Sequence, residues 1–191
     1  MRIGVLAIQG DYDAHRRRLE QLGAQTLLVK KPEQLDAVDA LVIPGGESTT
    51  FLKFLEQGGF LEKLRDFVRA KPAFGTCAGA ILLAQEVENP PQPSLGVLDV
   101  RIRRNAYGRQ LESSIRFGTT GLGEEPLEMV FIRAPRIERV GAGVEVLARA
   151  DDDPVLVRQG KIMASTFHPE LSPDTRVHAA FLDLVRNGAK K

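Results

Sequence analysis

Residues 72–87 read PAFGTCAGAILLAQEV, and this stretch decides the fold class. A short apolar run, Pro72-Ala73-Phe74, enters Gly75-Thr76-Cys77-Ala78-Gly79, and a helical run, AILLAQEV (residues 80–87), follows directly. A strand that turns into a helix through a few small residues is half of a βα unit. Working towards the N-terminus, the same alternation recurs. Residues 40–43 (ALVI) are a continuous apolar run ending at Pro44-Gly45-Gly46, and helical spacing follows through Phe51, Leu52 and Leu55, then Leu61, Leu64, Phe67 and Val68. Residues 26–29 (TLLV) and 3–8 (IGVLAI) are two more such runs, separated by a polar segment with Leu19 and Leu22 in helical register and Gly23 as its stop. Unbroken apolar runs are the mark of strands buried on both faces, so the first half predicts a mostly parallel sheet with right-handed crossovers.

Beyond Asn89-Pro90-Pro91 the texture changes. Short β-like runs (VLDVRIR, SSIRFG, MVFIRA, VEVLARA, PVLVRQ and KIMASTF) are punctuated by Gly, Pro and Asp, which predicts antiparallel strands flanking the parallel core. Ser172-Pro173 reads as an N-cap followed by Pro in the first turn of a last helix, with Val177, Phe181 and Leu184 on one face. The predicted fold is α/β in three layers, a mostly parallel central sheet with flanking helices and additional antiparallel strands. No repeat or linker divides the chain, so residues 1–191 are expected to form one domain.

Composition narrows the function classes. The chain has 26 basic and 25 acidic residues, a balance that argues against a polyanion binder. Arg16-Arg17-Arg18 and the arginines at 101–109 therefore read as solvated faces or partner contacts, with no nucleic acid expected. One cysteine permits no internal disulfide and no Cys-rich zinc site, so no metal is expected. The N-terminal apolar run is too short for a signal peptide, and no run approaches the roughly 18 residues of a membrane span. The expectation is a cytoplasmic protein with no membrane association.

Three segments carry chemistry, each at the C-terminal end of a predicted strand, where open α/β sheets place their sites. Cys77 sits on the strand-to-helix turn, bracketed two residues either side by Gly75 and Gly79, the arrangement that exposes a nucleophile at a helix N-terminus. His168-Pro169-Glu170 follows KIMASTF. In extended chain residues two apart share a side, so Glu170 is expected to orient the His168 imidazole while its other nitrogen faces Cys77. Pro44-Gly45-Gly46-Glu47-Ser48-Thr49-Thr50 supplies a glycine pair whose backbone N–H, with that of Ala78, suits an oxyanion hole. The same loop also reads as a βα turn in which Ser48 caps the next helix. His15 and His178 lie in helical stretches and are expected on the surface.

Taken together, GVLAIQG (4–10), PGGESTT (44–50), FGTCAG (74–79), RRNAYGRQ (103–110), FIRAP (131–135) and STFHPE (165–170) resemble the class I (triad) glutamine amidotransferase family. Within it they resemble the branch of glutaminases that serve pyridoxal 5′-phosphate synthases. The resemblance runs nearly end to end. It implies that Cys77, His168 and Glu170 are a catalytic triad that hydrolyses L-glutamine through a glutamyl thioester. It further implies that Gly46, Glu47, Ser48, Arg104, Ile132 and Arg133 contact glutamine, and that Gly46 and Ala78 form the oxyanion hole. Arg104 and Arg133 would serve either the substrate α-carboxylate or acidic neighbours such as Glu47, and Arg104 also reads as one of a solvated basic strand (Arg101, Arg103, Arg104). The implied partner is a synthase subunit built as a (β/α)8 barrel, which consumes the ammonia. Pyridoxal phosphate would be its product, and no cofactor is implied for this chain. Gln9-Gly10, at the end of the first strand, is placed to touch the glycine loop and the partner.

The same elbow would also serve a γ-glutamyl hydrolase or cysteine peptidase, which cleaves peptides. A module without catalysis would use Cys77 as an oxidation sensor, but such a sensor does not need His168 and Glu170.

Overall fold

The computed structural model describes residues 1–106 and 113–188. Residues 107–110 of the RRNAYGRQ motif lie outside the described residues.

The expected apolar runs are the strands of a parallel sheet core. β1 (Arg2–Leu6), β2 (Gln25–Val29), β3 (Ala40–Ile43) and β4 (Ala73–Thr76) alternate with α1 (Tyr12–Gln21), α2 (Ser48–Glu56) and α3 (Phe60–Ala70). β12 (Ile162–Ser165) joins β4 in parallel, although it comes from the half of the chain that reads as antiparallel. Among the described residues the main sheet has nine strands, in the order β2-β1-β3-β4-β12-β11-β10-β7-β8. The added strands β7 (Ser113–Thr120), β8 (Leu127–Ile132), β10 (Glu145–Ala150) and β11 (Asp153–Gln159) are antiparallel to their neighbours. Three further strands, β5 (Ala84–Glu88), β6 (Leu98–Arg103) and β9 (Arg136–Val140), form a second sheet.

Alternation of side chains along each central strand divides the core in two. Ile3, Val5, Ala40, Val42 and Phe74 face α1 and the last helix, α5 (Arg176–Gly188), through Leu19, Val177, Phe181 and Leu182. Leu6, Leu41, Ile43 and Ala73 face α2, α3 and the second sheet through Phe51, Leu55, Leu64 and Val100. The sheet is thus buried on both faces, as the unbroken apolar runs require, and the three-layer expectation holds. Fully burying a Leu or Phe side chain stabilises by roughly 1.5–3 kcal/mol, so both layers hold the strand ends firmly.

Several local expectations are overturned. The helix expected over residues 80–87 is only α4 (Ala78–Leu83), because residues 84–88 turn extended and pair with β6. The last carbonyls of α4, Leu82 and Leu83, accept from Leu95 and Val97 N–H instead of continuing the helix. Ser172 does not cap α5. It closes the 3₁₀ turn Pro169–Leu171, and its hydroxyl donates to Glu128, while Asp174 accepts from the Arg176 N–H at the helix start. The strands β5 and β9 have no counterpart in the sequence reading: QEV continued a helical run, and RIERV alternates too weakly to stand out.

Candidate active site

The nucleophile turn is built by crowding. Cys77 stands between β4 and α4 with φ 49° and ψ −105°, a conformation that costs a residue with a Cβ on the order of 1–3 kcal/mol. Its own N–H donates to the Ser165 carbonyl of β12, and its carbonyl accepts from Ile81, so sheet and helix together hold the strained turn. The glycine bracket has a steric cause. A Cβ on Gly75 would lie 2.5 Å from the Gly79 carbonyl, and one on Gly79 would lie 2.0 Å from the Ile43 carbonyl oxygen at the end of β3. Gly79→Ala must therefore push α4 away from β3 and carry Cys77 with it. We expect a loss of about 100-fold in turnover, since displacements near 1 Å cost that much. Gly143→Ala, whose Cβ would meet only the Gln159 amide at 3.5 Å, is the control that should keep full activity. Equal activity in both variants would show that the bracket does not position the nucleophile.

His168 and Glu170 meet Cys77 from β12, but not through extended chain. His168 has φ −105° and ψ 84°, and Pro169–Leu171 form a 3₁₀ turn. That turn still brings Glu170 Oε1 to 2.7 Å from His168 Nδ1. Cys77 is a close neighbour of the same ring and acts on its titration. Cys77, His168 and Glu170 are all buried, Glu170 to 2% exposure. Burial opposes charge on His168, but the hydrogen bonds and negative charges of Cys77 and Glu170 overrule it and raise its pKa to about 10. Burial likewise works against the Glu170 charge. The surrounding histidines offset that, and its pKa falls to about 2.

The glycine loop lies directly over this pair. A Cβ on Gly45 would sit 2.7 Å from His168 Cε1 and 3.3 Å from Cys77 Cβ. Gly46 has φ +132°, and a Cβ there would strike the Gln9 amide at 2.7 Å. Gln9 Nε2 donates to the Glu47 carbonyl at 2.9 Å, and Gly10 packs against the Gly45 carbonyl, where a Cβ would be 2.0 Å away. Gln9-Gly10 thus touches the glycine loop as expected. The cap of α2 is Glu47 and not Ser48. The Glu47 carboxylate accepts from the Thr49 and Thr50 N–H groups, and hydrogen bonds from Thr50 and Thr49 outweigh the opposing loss of hydration and hold its pKa down at about 2. Ser48 instead donates to Gln92 Oε1 at 2.9 Å.

A cavity of about 380 Å³ opens over Cys77 and His168. All six expected substrate contacts, Gly46, Glu47, Ser48, Arg104, Ile132 and Arg133, line it. Arg104 is no member of a solvated strand. Its side chain is 12% exposed, donates to Thr49 Oγ1 at 3.0 Å and lies 3.7 Å from Glu47 Oε1. Arg133 is exposed and has φ 44°, a left-handed conformation at the rim that aims the chain out of β8. Ala78, 1% exposed, follows Cys77 as the first residue of α4, where its N–H has no helical partner. Asn105 and Pro135 also line the cavity, and the sequence reading assigned neither. Their motif neighbours, RRNA and FIRAP, were the available signal.

The surface expectation for His15 and His178 is wrong. Both are 0% exposed and lie behind Glu170, because α1 and α5 pack on the same face of the sheet. A lone histidine on a predicted amphipathic helix gives no sign of which face it takes. Among the described residues, no helix is long and apolar enough to cross a membrane.

The chain is similar to known proteins over nearly its whole length. The model of the SNO glutamine amidotransferase family matches residues 5–187. The pyridoxal 5′-phosphate synthase subunit PdxT of Koribacter versatilis (strain Ellin345) is 65% identical, over 98% of this chain and 97% of its own length. The subunit of the same name from Thermotoga maritima is 52% identical over 97% of this chain and all of its own. A solved structure described as a glutamine amidotransferase superposes with TM-score 0.90 at 49% identity, covering 96% of this chain and 98% of that one. A chain of the solved PurLQS structure from Thermotoga maritima shares the fold (TM-score 0.71) at 17% identity, with 95% of this chain and 97% of that one covered.

Proposed function

The chain belongs to the SNO glutamine amidotransferase family, and on that premise we propose that it is a single glutaminase domain, residues 1–191, serving a pyridoxal 5′-phosphate synthase. It hydrolyses L-glutamine to L-glutamate and ammonia, and the ammonia passes to a synthase subunit of (β/α)8-barrel form. The observation that carries this reading is Cys77 on a strained turn, beside a histidine that Glu170 orients, in a cavity lined by every expected substrate contact.

Cys77 Sγ attacks the side-chain amide carbon of glutamine as a thiolate. The oxygen that gains charge is met by the N–H groups of Gly46 and Ala78. Attack consumes the thiolate and so removes one of the two anions that hold the His168 pKa up. The imidazolium becomes a stronger acid at the step where the leaving nitrogen needs a proton. Ammonia departs, leaving the glutamyl thioester. His168 then takes a proton from water, the hydroxide adds to the thioester carbon, and glutamate leaves as the thiolate is restored beside the imidazolium. Arg104 braces Glu47 and the start of α2, and the exposed Arg133 is left for the substrate α-carboxylate.

Apolar surface beside the cavity supports a partner. Ile115 and Phe117 of β7 are 65% and 68% exposed on the strand that pairs with β8, whose Ile132 lines the cavity and is 38% exposed. The testing experiment is release of ammonia and glutamate from glutamine, with and without the synthase subunit of the same source. Release that rises strongly with that subunit is the expected result. Release indifferent to it would sever the chain from this pathway, and peptide cleavage without ammonia would replace the glutaminase. Gln9 links the end of β1 to the Glu47 carbonyl, so it couples docking to the glycine loop. Gln9→Ala is expected to lose about tenfold in partner-stimulated rate, the scale of one lost hydrogen bond to the loop. Equal stimulation in Gln9→Ala and wild type removes that coupling.

A further inference from the structure

On the side of the triad away from the cavity, polar side chains from four segments meet out of contact with water. They are His15 of α1, Thr76 of β4, Glu170 and His178 of α5, all 2% exposed or less. His15 Nε2 lies 3.1 Å from Thr76 Oγ1, its hydrogen-bond partner, and 3.2 Å from Glu170 Oε2, a buried carboxylate oxygen with no hydrogen-bond partner of its own. His15 Nδ1 lies 3.0 Å from His178 Nε2, and His178 Nδ1 has no partner. Phe74 packs edge-on against both imidazoles, at 6.3 Å and 6.2 Å between centroids, which fixes the ring planes.

We propose that His15 is a positioning residue of the triad: neutral and protonated on Nε2, it holds Glu170 Oε2 so that Oε1 stays on His168, and His178 selects that tautomer. The inference rests on the triad proposed above.

Proton bookkeeping decides between the two neutral arrangements. An ionised Glu170 only accepts. If His15 carries its proton on Nε2, the positive end of that bond lies beside Oε2 and Thr76 Oγ1. Nδ1 is then a lone pair, His178 must donate from Nε2, and the one atom left over is the bare His178 Nδ1. That atom has no partner in the structure, and neither has Glu170 Oε2, the oxygen that the Nε2 proton of His15 would face at 3.2 Å. If His15 carries its proton on Nδ1, its Nε2 lone pair faces the carboxylate at 3.2 Å. His178 would then hold an N–H on Nδ1 with nothing to receive it, and stranding a buried donor is costly. A charged His15 is opposed by its complete burial, which drives its pKa down, and burial does the same to His178. The charged groups nearest the cluster do not alter this. Arg18 Nε reaches the Glu170 backbone carbonyl at 3.4 Å, and Asp11 lies at the start of α1. The negative charge of Glu170 is therefore left for His168, while a neutral donor restrains its second oxygen.

Histidine-¹⁵N NMR of the full chain, which has three histidines, reads the tautomer directly. The expected spectrum shows His15 protonated on Nε2 alone at neutral pH, and protonation on Nδ1 or on both nitrogens would overturn the proposal. In the complex with its synthase subunit, His15→Leu is expected to lower kcat for glutamine about tenfold with KM changed less than about twofold. His15→Gln, which keeps an N–H near the Nε2 position, should recover most of that loss. Wild-type kcat in His15→Leu, or no difference between the Leu and Gln variants, would also overturn it. If His15→Leu does not fold, the tautomer and the His15→Gln rate decide. Cys77→Ala in the same assay separates the two levels. Activity surviving in Cys77→Ala removes the triad itself, whereas an inactive Cys77→Ala beside a fully active His15→Leu removes only the role of His15.

Discussion

Cys77→Ala is expected to abolish glutamine hydrolysis, by on the order of 10,000-fold or more, while the protein keeps its fold. The size follows from the mechanism: without the thiol no thioester forms, and the oxyanion donors and cavity leave only the modest residual rate that such sites give over water. The fold survives because the turn is held by its backbone. The Cys77 N–H still meets the Ser165 carbonyl, and Ile81 still donates to the carbonyl of residue 77. Only one buried sulfur is lost, so the thermal midpoint should move by a few degrees at most, the shift that about 1 kcal/mol produces at this size. A second signature tests the electrostatics. The hydrogen bond and charge of Cys77 help to raise the His168 pKa to about 10, so the His168 titration should move down in the alanine variant. Full activity in Cys77→Ala would overturn the nucleophile, and an unmoved His168 titration would overturn the thiolate–imidazolium pair.

His168→Ala is expected to lose about 1,000- to 10,000-fold in kcat, and Glu170→Ala about 10- to 100-fold. His168 moves a proton in both half-reactions, on to the leaving ammonia and off the attacking water. Glu170 touches no reacting atom. It holds one ring nitrogen at 2.7 Å and supplies a charge that stabilises the imidazolium. Removing it strands His168 Nδ1, and it also leaves His15 Nε2 with only the Thr76 hydroxyl. Glu170→Ala should therefore be the less stable variant of the pair and the faster in turnover. Steady-state rates and thermal melts on both variants read this split. Equal or reversed losses of kcat would undo the assignment of base and orienter.

Sequence alone determined the features that depend on neighbours along the chain. Burial on both faces shows as unbroken apolar runs, which is why β1, β3 and β4 and the three-layer α/β class were legible. A nucleophile turn needs glycine where backbone meets backbone, so Gly75 and Gly79 announced the elbow around Cys77 before any contact was known. Strand ends carry the site in such a sheet, so the glycine loop, Cys77 and His168 were readable as one place. Tertiary structure decided what depends on partners far away in sequence. AILLAQEV has helical propensity throughout, yet residues 84–88 become β5 because β6 offers a ladder, and packing of this kind overrides weak intrinsic preference. Glu170 reaches His168 through a 3₁₀ turn that no two-residue rule describes. His15 and His178 are 163 residues apart, and only the packing of α1 and α5 on one face of the sheet brings them within 3.0 Å of each other behind Glu170. A periodicity states that a helix has a buried face, but the charge waiting beneath that face belongs to another part of the chain.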